Sequence, residues 1–308
     1  MELFDLHCDT LVRLGDLKGD LYSERTAFSL RNFGCFKRLC QTMAVFIPDR
    51  IRGEDAMGYF HTYQKYFQEL LIRHQDVAEQ AVDGNSVEKI TGSGKCALIL
   101  SVESGAVLNG NLDNINYLAD RGVRMMTLTW NGVNELGSGH DTDKGLTSFG
   151  KEVVGEMEAH GIAVDVSHIN DRGFEDVCDI AKKPFIATHS NLRSVCGHKR
   201  NLTEKQFKEI VRRDGLVGLN LYHKFLSEDG TGDVNDMFRH VYRMLELGGE
   251  NVIACGGDLD GADVNASLNA PDKFAATAEY LLRENISQEV VDKIYFQNAL
   301  NFFTKFYN

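Results

Sequence analysis

The sequence predicts an α/β fold, a (β/α)8 TIM barrel, and three observations predict it. Eight short apolar runs rich in Val, Ile and Leu recur along the chain, and buried parallel strands read this way. An amphipathic stretch follows each run, so the two periods alternate through the whole chain. An open doubly wound sheet would carry a glycine-rich phosphate loop after an early strand, and this chain has none there. The 308 residues suit one barrel, and no stretch rich in Pro, Ser or Gly marks a linker, so residues 1–308 are expected to form one domain.

The expected strands, in order, are "LFDLHCD" (3–9), "TMAVFIPD" (42–49), "CALILSVES" (96–104) and "VRMMTLTW" (123–130). Then come "IAVDVSH" (162–168), "FIATHS" (185–190), "LVGLNLY" (216–222) and "VIACGGD" (252–258). Helices are expected over 57–80, 111–121, 147–160, 171–182, 203–213, 233–248, 272–284 and 288–306. Thr203 before "EKQF" and Ser287 before "QEVV" have the form of N-caps, each with Glu or Gln inside the first turn.

Composition excludes several classes. Hydrophobic residues make up 43% and charged residues 25%, the balance of an ordinary globular protein. A net charge of −12 without a basic patch argues against nucleic acid and against an anionic membrane surface as partners. No window approaches a membrane span, and "MELFDLHCDT" lacks the basic and apolar regions of a signal peptide. The C-terminal "NALNFFTKFYN" reads as a helix end and not as a lipid-anchor signal. Seven irregularly spaced cysteines suggest reduced thiols in a cytoplasmic protein, where the sequons at Asn201, Asn265 and Asn285 carry no meaning.

Polar residues gather where the expected strands end. His7 and Asp9 share one face of the first strand, because residues i and i+2 point the same way. Glu103 ends the third run, His168 the fifth, His189 lies at the end of the sixth, and Asp258 ends the eighth. A lone strand-end His is more often a satisfied polar residue than a ligand, but these six all fall at the end that forms one barrel mouth. Three imidazoles and three carboxylates form a ligand set for zinc above other divalent ions. They exceed the needs of one tetrahedral zinc and suit two metals, with Glu103 as the natural bridge and an acidified water between them. Asp258 is then placed to orient that water and relay its proton.

Other motifs fail on inspection. "TGSGKC" (91–96) has Lys89 where a phosphate loop needs Gly, and Cys follows Lys95 where Ser or Thr is needed. "DLDGADVN" places its Gly too early for a calcium loop, and no GxSxG elbow occurs. The cysteines lie mostly in apolar runs and read as packing residues.

From "DLHCDT" through "VESG", "DVSH" and "ATHSNLRSVCGHKRNLT" to "GGDLDG", the chain resembles the membrane (renal) dipeptidase family of amidohydrolase-like metallo-barrels. The resemblance implies a dinuclear zinc dipeptidase that takes a small dipeptide with a free C-terminal carboxylate, D-residues included at that position. It implies two Zn2+ per chain, with His7 and Asp9 on one ion, His168 and His189 on the other, and Glu103 bridging. Asp258 matches the catalytic aspartate, and Arg200 matches the arginine that grips the substrate carboxylate, a task suited to a planar guanidinium. The resemblance further implies Tyr222 as a carboxylate contact, and a homodimer, the usual state among relatives.

One position departs from the family. Where the fourth strand of well-studied members ends in "LTH", whose His helps hold the scissile carbonyl oxygen, this chain has "LTW", with Trp130 in that place. An indole donates one hydrogen bond and cannot titrate. Trp130, Asn131 or His140 then takes over the function, or the substrate is another amide or a lactone. A non-catalytic metal-binding protein is the reading of another class, and a missing ligand, which would have favoured it, is not found.

Overall fold

Glu2–Asp5 form β1, which lies between two parallel neighbours that are far apart in the chain. On one side Phe4 and Asp5 pair with Cys40 and Gln41 of β2 (Arg38–Phe46). On the other, Asp5 pairs with Cys255 of the strand Ile253–Cys255. This computed structural model describes residues 1–307; Asn308, the last residue of the expected domain, lies outside them.

The remaining strands are β3 (Ala78–Gln80), β4 (Cys96–Glu103), β5 (Val123–Thr127), β6 (Ala163–Asp165), β7 (Ile186–Ala187), β8 (Leu216–Leu219) and β9 (Ile253–Cys255). The pairing of β2 with β4, from Cys40↔Ala97 to Phe46↔Glu103, closes a parallel ring of eight strands in the order β1, β2, β4, β5, β6, β7, β8, β9. The expected (β/α)8 barrel is therefore present.

The helices are α1 (Thr10–Leu17), α2 (Glu54–Arg73), α3 (Gly84–Gly92), α4 (Asp113–Asp120), α5 (Ser148–Ala159) and α6 (Asp171–Ile180). They continue with α7 (Glu204–Arg212), α8 (His223–Leu226), α9 (Val234–Glu246), α10 (Lys273–Arg283), α11 (Gln288–Asp292) and α12 (Asn298–Phe306). Thr203 caps α7 reciprocally with Gln206, while Ser287 caps α11 one way, through the Val290 N–H.

Two expectations need correction. The helix expected over 57–80 ends at Arg73, and its last residues are β3, which pairs with the first three residues of β4 before β5 takes over that edge. The helix expected over 288–306 is broken by one π turn, Lys293–Gln297. Also, α1 and α3 lie in segments for which no helix was expected. A Cβ on Gly15 of α1 would lie 2.6 Å from the Tyr63 ring of α2, so only glycine allows the two helices this approach.

The core has two parts. Most large apolar side chains fill the layer between barrel and helices. Inside the ring, Phe4, Ala97, Met125 and Ile186 meet Phe296 and Phe303, with the Phe4 and Phe303 rings 5.1 Å apart, so the α12 segment seals the floor where the strands begin.

His240 of α9 is completely buried and ties the loop at Leu192 to the end of α8. Its Nδ1 accepts the Leu192 N–H at 3.2 Å, so its Nε2 carries the proton donated to the Leu226 carbonyl at 3.0 Å. Burial pulls this imidazole down to about 4. The unfolded chain takes up that proton below about pH 6.5 while the folded chain resists it, so stability is lost as pH falls from 6.5 to about 4. The expected loss is about 3 kcal/mol. Urea unfolding of the metal-free protein across this range checks it: the loss is expected to shrink in His240→Gln, and an unchanged pH dependence would refute the assignment.

Candidate metal centre and substrate cavity

The segment after β1 is stitched into the barrel mouth from both sides. Cys8 N–H donates to the Thr42 carbonyl at 3.1 Å, and Asp9 N–H to the Leu259 carbonyl at 2.9 Å. His7 and Asp9 consequently share one face, with Nε2 and Oδ2 3.6 Å apart. Both side chains are buried, and His7 Nε2 and Asp9 Oδ1 have no hydrogen-bond partner among the described residues. Isolated buried polar atoms of this kind are costly.

Glu103, the last residue of β4, reaches between the imidazoles. Its Oε2 lies 3.4 Å from His7 Nε2, and its Oε1 lies 2.7 Å from His168 Nε2 and 3.7 Å from His189 Nε2. The His7 and His189 rings stack with centroids 3.9 Å apart. The structure thus brings His7, Asp9, Glu103, His168, His189 and Asp258 into one cluster of three overlapping triads, each with its ligand atoms within 4.8 Å of one another.

The strands end sooner than their apolar runs. His168 and Asp258 lie beyond the ladders in the left-handed region, with φ of 71° and 54°. Leaving the ladder frees their side chains to turn over the mouth instead of following the strand alternation. Gly261 makes room beside them: a Cβ there would stand 1.8 Å from Asp9 Oδ2 and 2.7 Å from Asp258 Oδ1.

Neighbours fix the ring tautomers. His168 Nδ1 faces Asn131 Oδ1 at 2.9 Å and must donate to it. His189 Nδ1 lies 2.8 Å from the Thr188 hydroxyl, which itself donates to Asp165. Both Nδ1 atoms therefore hold protons, and both Nε2 lone pairs face each other across 2.9 Å. Two facing lone pairs repel, and a shared cation removes the repulsion. Asn131, Thr188 and Asp165 have the part that outer groups commonly take around ligating histidines.

The electrostatics agree. Burial, with Asp9 adding like charge, raises Glu103 to about 7, and burial likewise raises Asp258. Burial pulls His7 down, yet Glu103 and Asp9 together hold it well above its ordinary value. Burial and the Arg200 charge push His168 and His189 well below theirs. A carboxylate cluster facing neutral imidazole lone pairs is a donor set for divalent metal, and the residues fit zinc by ligand type.

A cavity of about 730 Å³ opens over this cluster, lined by Asp9, Glu103, His168 and Asp258 below and by Trp130, His140, His198 and Tyr222 along its wall. Trp130 packs edge-on against Phe46 with its ring 6.4 Å from that of His168. All three groups considered for the missing strand-end His line the cavity, and of them Asn131 is engaged with His168. His140 Nδ1 is buried without a partner among the described residues, and burial, with Arg200 beside it, lowers that imidazole to about 4.

Arg200 is almost fully buried. It donates from Nη1 to Ser190 Oγ at 2.8 Å and from Nη2 to the His189 carbonyl at 3.0 Å, and its Nε has no partner. Burial lowers it to about 10, so it stays charged at neutral pH. Tyr222 lines the wall, its ring edge-on to Phe225 at 4.7 Å.

Sequence reasoning passed over Asn220. It donates from Nδ2 to Asp258 Oδ2 at 3.0 Å and accepts the Tyr222 N–H at 2.7 Å, holding two site residues at once. A buried amide inside the apolar run "LVGLNLY" was the available signal.

A closed parallel barrel with this donor set at its mouth defines a metal-dependent hydrolase. The chain belongs to the membrane dipeptidase family, peptidase family M19, whose model matches residues 1–307. An uncharacterized protein in the pqqA 5′ region of Klebsiella pneumoniae is 29% identical over 252 residues, 76% of this chain and 93% of that one. A metallopeptidase from Rhodobacter sphaeroides, solved with a phosphinate mimic of the dipeptide L-Ala-D-Ala, superposes with a TM-score of 0.91 at 23% identity, covering 98% of both chains. A family M19 metallopeptidase named dipeptidase AC gives 0.93 at 24% identity, over 100% of this chain and 99% of its own. At these identities the two structures establish the shared fold. No helix among the described residues is long and apolar enough to cross a membrane.

Proposed function

We propose that this protein is a dizinc dipeptidase that hydrolyses dipeptides with a free C-terminal carboxylate and accepts a D-residue at that end. The position of Glu103 carries the reading: one carboxylate oxygen faces His7 while the other faces His168 and His189. His7 and Asp9 would hold one ion, His168 and His189 the other, and Glu103 both. Bound zinc acidifies a water molecule and polarises the scissile carbonyl.

The chain supplies the rest. Asp258, oriented by Asn220, accepts a proton as the water oxygen bonds to the carbonyl carbon. It returns that proton to the amide nitrogen as the C–N bond breaks. Arg200 provides buried positive charge for the terminal carboxylate, and Tyr222 flanks it. Trp130 and His140 bound the wall beside His168, where the carbonyl oxygen would lie. The seven free cysteines support a reducing compartment such as the cytoplasm.

The test is hydrolysis of L-Ala-L-Ala, L-Ala-D-Ala and their C-terminal amides by zinc-loaded protein, with the metal content measured. Cleavage of the free acids that weakens on amidation and stops on chelation supports the reading. No cleavage of any member, with two metals per chain, overturns it and turns attention to Trp130 and a different amide or lactone. Arg200→Ala is expected to raise KM for the free acids by roughly ten- to hundredfold, with far less effect on the amides.

A further inference from the structure

Arg200 is almost fully buried, with Nη1 and Nη2 bound to Ser190 and to the His189 carbonyl and Nε without a partner among the described residues. The cavity wall contains His198. The Arg200 backbone N–H donates to His198 Nδ1 at 3.1 Å, which makes Nδ1 the acceptor and leaves the proton of the neutral ring on Nε2. Nε2 enters no hydrogen bond among the described residues, and His198 lines the cavity. Phe225 holds the ring in place with centroids 4.6 Å apart, and the Arg200 guanidinium lies 5.8 Å from the same Phe225 ring. Burial and the Arg200 charge lower the His198 imidazole, so the neutral form prevails at pH 7. Lys224, exposed on the same wall, has no carboxylate within salt-bridge distance among the described residues.

We propose that His198 is a specificity-determining residue whose Nε2–H binds the terminal carboxylate of the substrate directly, with Arg200 as the charge behind it and Lys224 at the outer edge. This rests on the reading that the substrate ends in a free carboxylate. The backbone bond from Arg200 presets the donor, so it is oriented before substrate arrives.

The experiment compares zinc-loaded wild type, His198→Phe and His198→Gln on L-Ala-D-Ala and its C-terminal amide. His198→Phe keeps a ring against Phe225 and removes the N–H; Gln keeps a donor. For His198→Phe, KM on the free acid is expected to rise roughly tenfold or more, with kcat within about twofold and the amide little affected. Gln is expected to recover a good part of the loss. Unchanged KM in both variants, or equal losses on acid and amide, overturns the role of His198 while the carboxylate reading stands. Wild type that cleaves acid and amide equally well overturns the carboxylate reading and this proposal with it. Retained amide hydrolysis shows that the Phe variant is folded; if it is lost, the Gln variant decides by the same comparison.

Discussion

Asp258→Asn is expected to lower kcat on dipeptides by about a hundred- to ten-thousandfold and to leave two zinc ions per chain. Asparagine tolerates the left-handed backbone, φ 54°, that this position requires. It also keeps an oxygen to accept from Asn220 Nδ2, so the local frame survives. What it lacks is the carboxylate that, in the proposed mechanism, moves the proton from water to leaving nitrogen. A second readout separates chemistry from structure. Asp258 lies half-buried beside the buried carboxylates of Asp9 and Glu103, so removing its like charge is expected to raise the unfolding midpoint of the metal-free protein. Full turnover in the variant, or loss of metal with turnover, would remove Asp258 from its assigned role.

Glu103→Gln is expected to cut turnover by about three powers of ten, with metal content falling below two per chain. The amide keeps the shape but offers one neutral oxygen where two charged ones face three imidazoles. Metal uptake adds a test with a sign. In the metal-free protein Glu103 is raised to about 7, so at and below that pH part of the population carries a proton that zinc must displace. Zinc affinity is therefore expected to weaken as pH falls through 7, with proton release measurable by calorimetry in buffers of different ionisation enthalpy. The Gln variant is expected to release less. Equal zinc stoichiometry and equal proton release in both proteins would contradict a bridging Glu103.

The barrel was legible because strands buried on both faces must be apolar throughout, which makes each one a continuous run. The polar cluster at the mouth was legible for the complementary reason: polar residues closing such runs interrupt them visibly. The three-residue β3 was not, because "AEQ" has no apolar run and owes its conformation to the edge of β4 that it occupies. Nor was α1, whose eight residues follow the site directly and contain a glycine that only the Tyr63 contact explains. Tautomers and outer partners were out of reach as well. Nothing in "CGHKRN" tells which nitrogen of His198 meets the Arg200 backbone, since that bond depends on the turn and not on the residue types.

The position of β1 between β2 and β9 also governs synthesis. Asp5 and Cys255 meet across nearly the whole chain, and the floor closes only when Phe303 arrives. A nascent chain that has exposed His7 and Asp9 has no Asp258 and no finished ring until its last segments leave the ribosome. The half-built centre cannot hold two ions early, and its first strand waits with the edge meant for β9 open. On the proposed reading metal capture follows ring closure, so zinc would act as a latch on the finished fold, and truncation at the C-terminus is expected to abolish zinc retention even though no proposed ligand is removed.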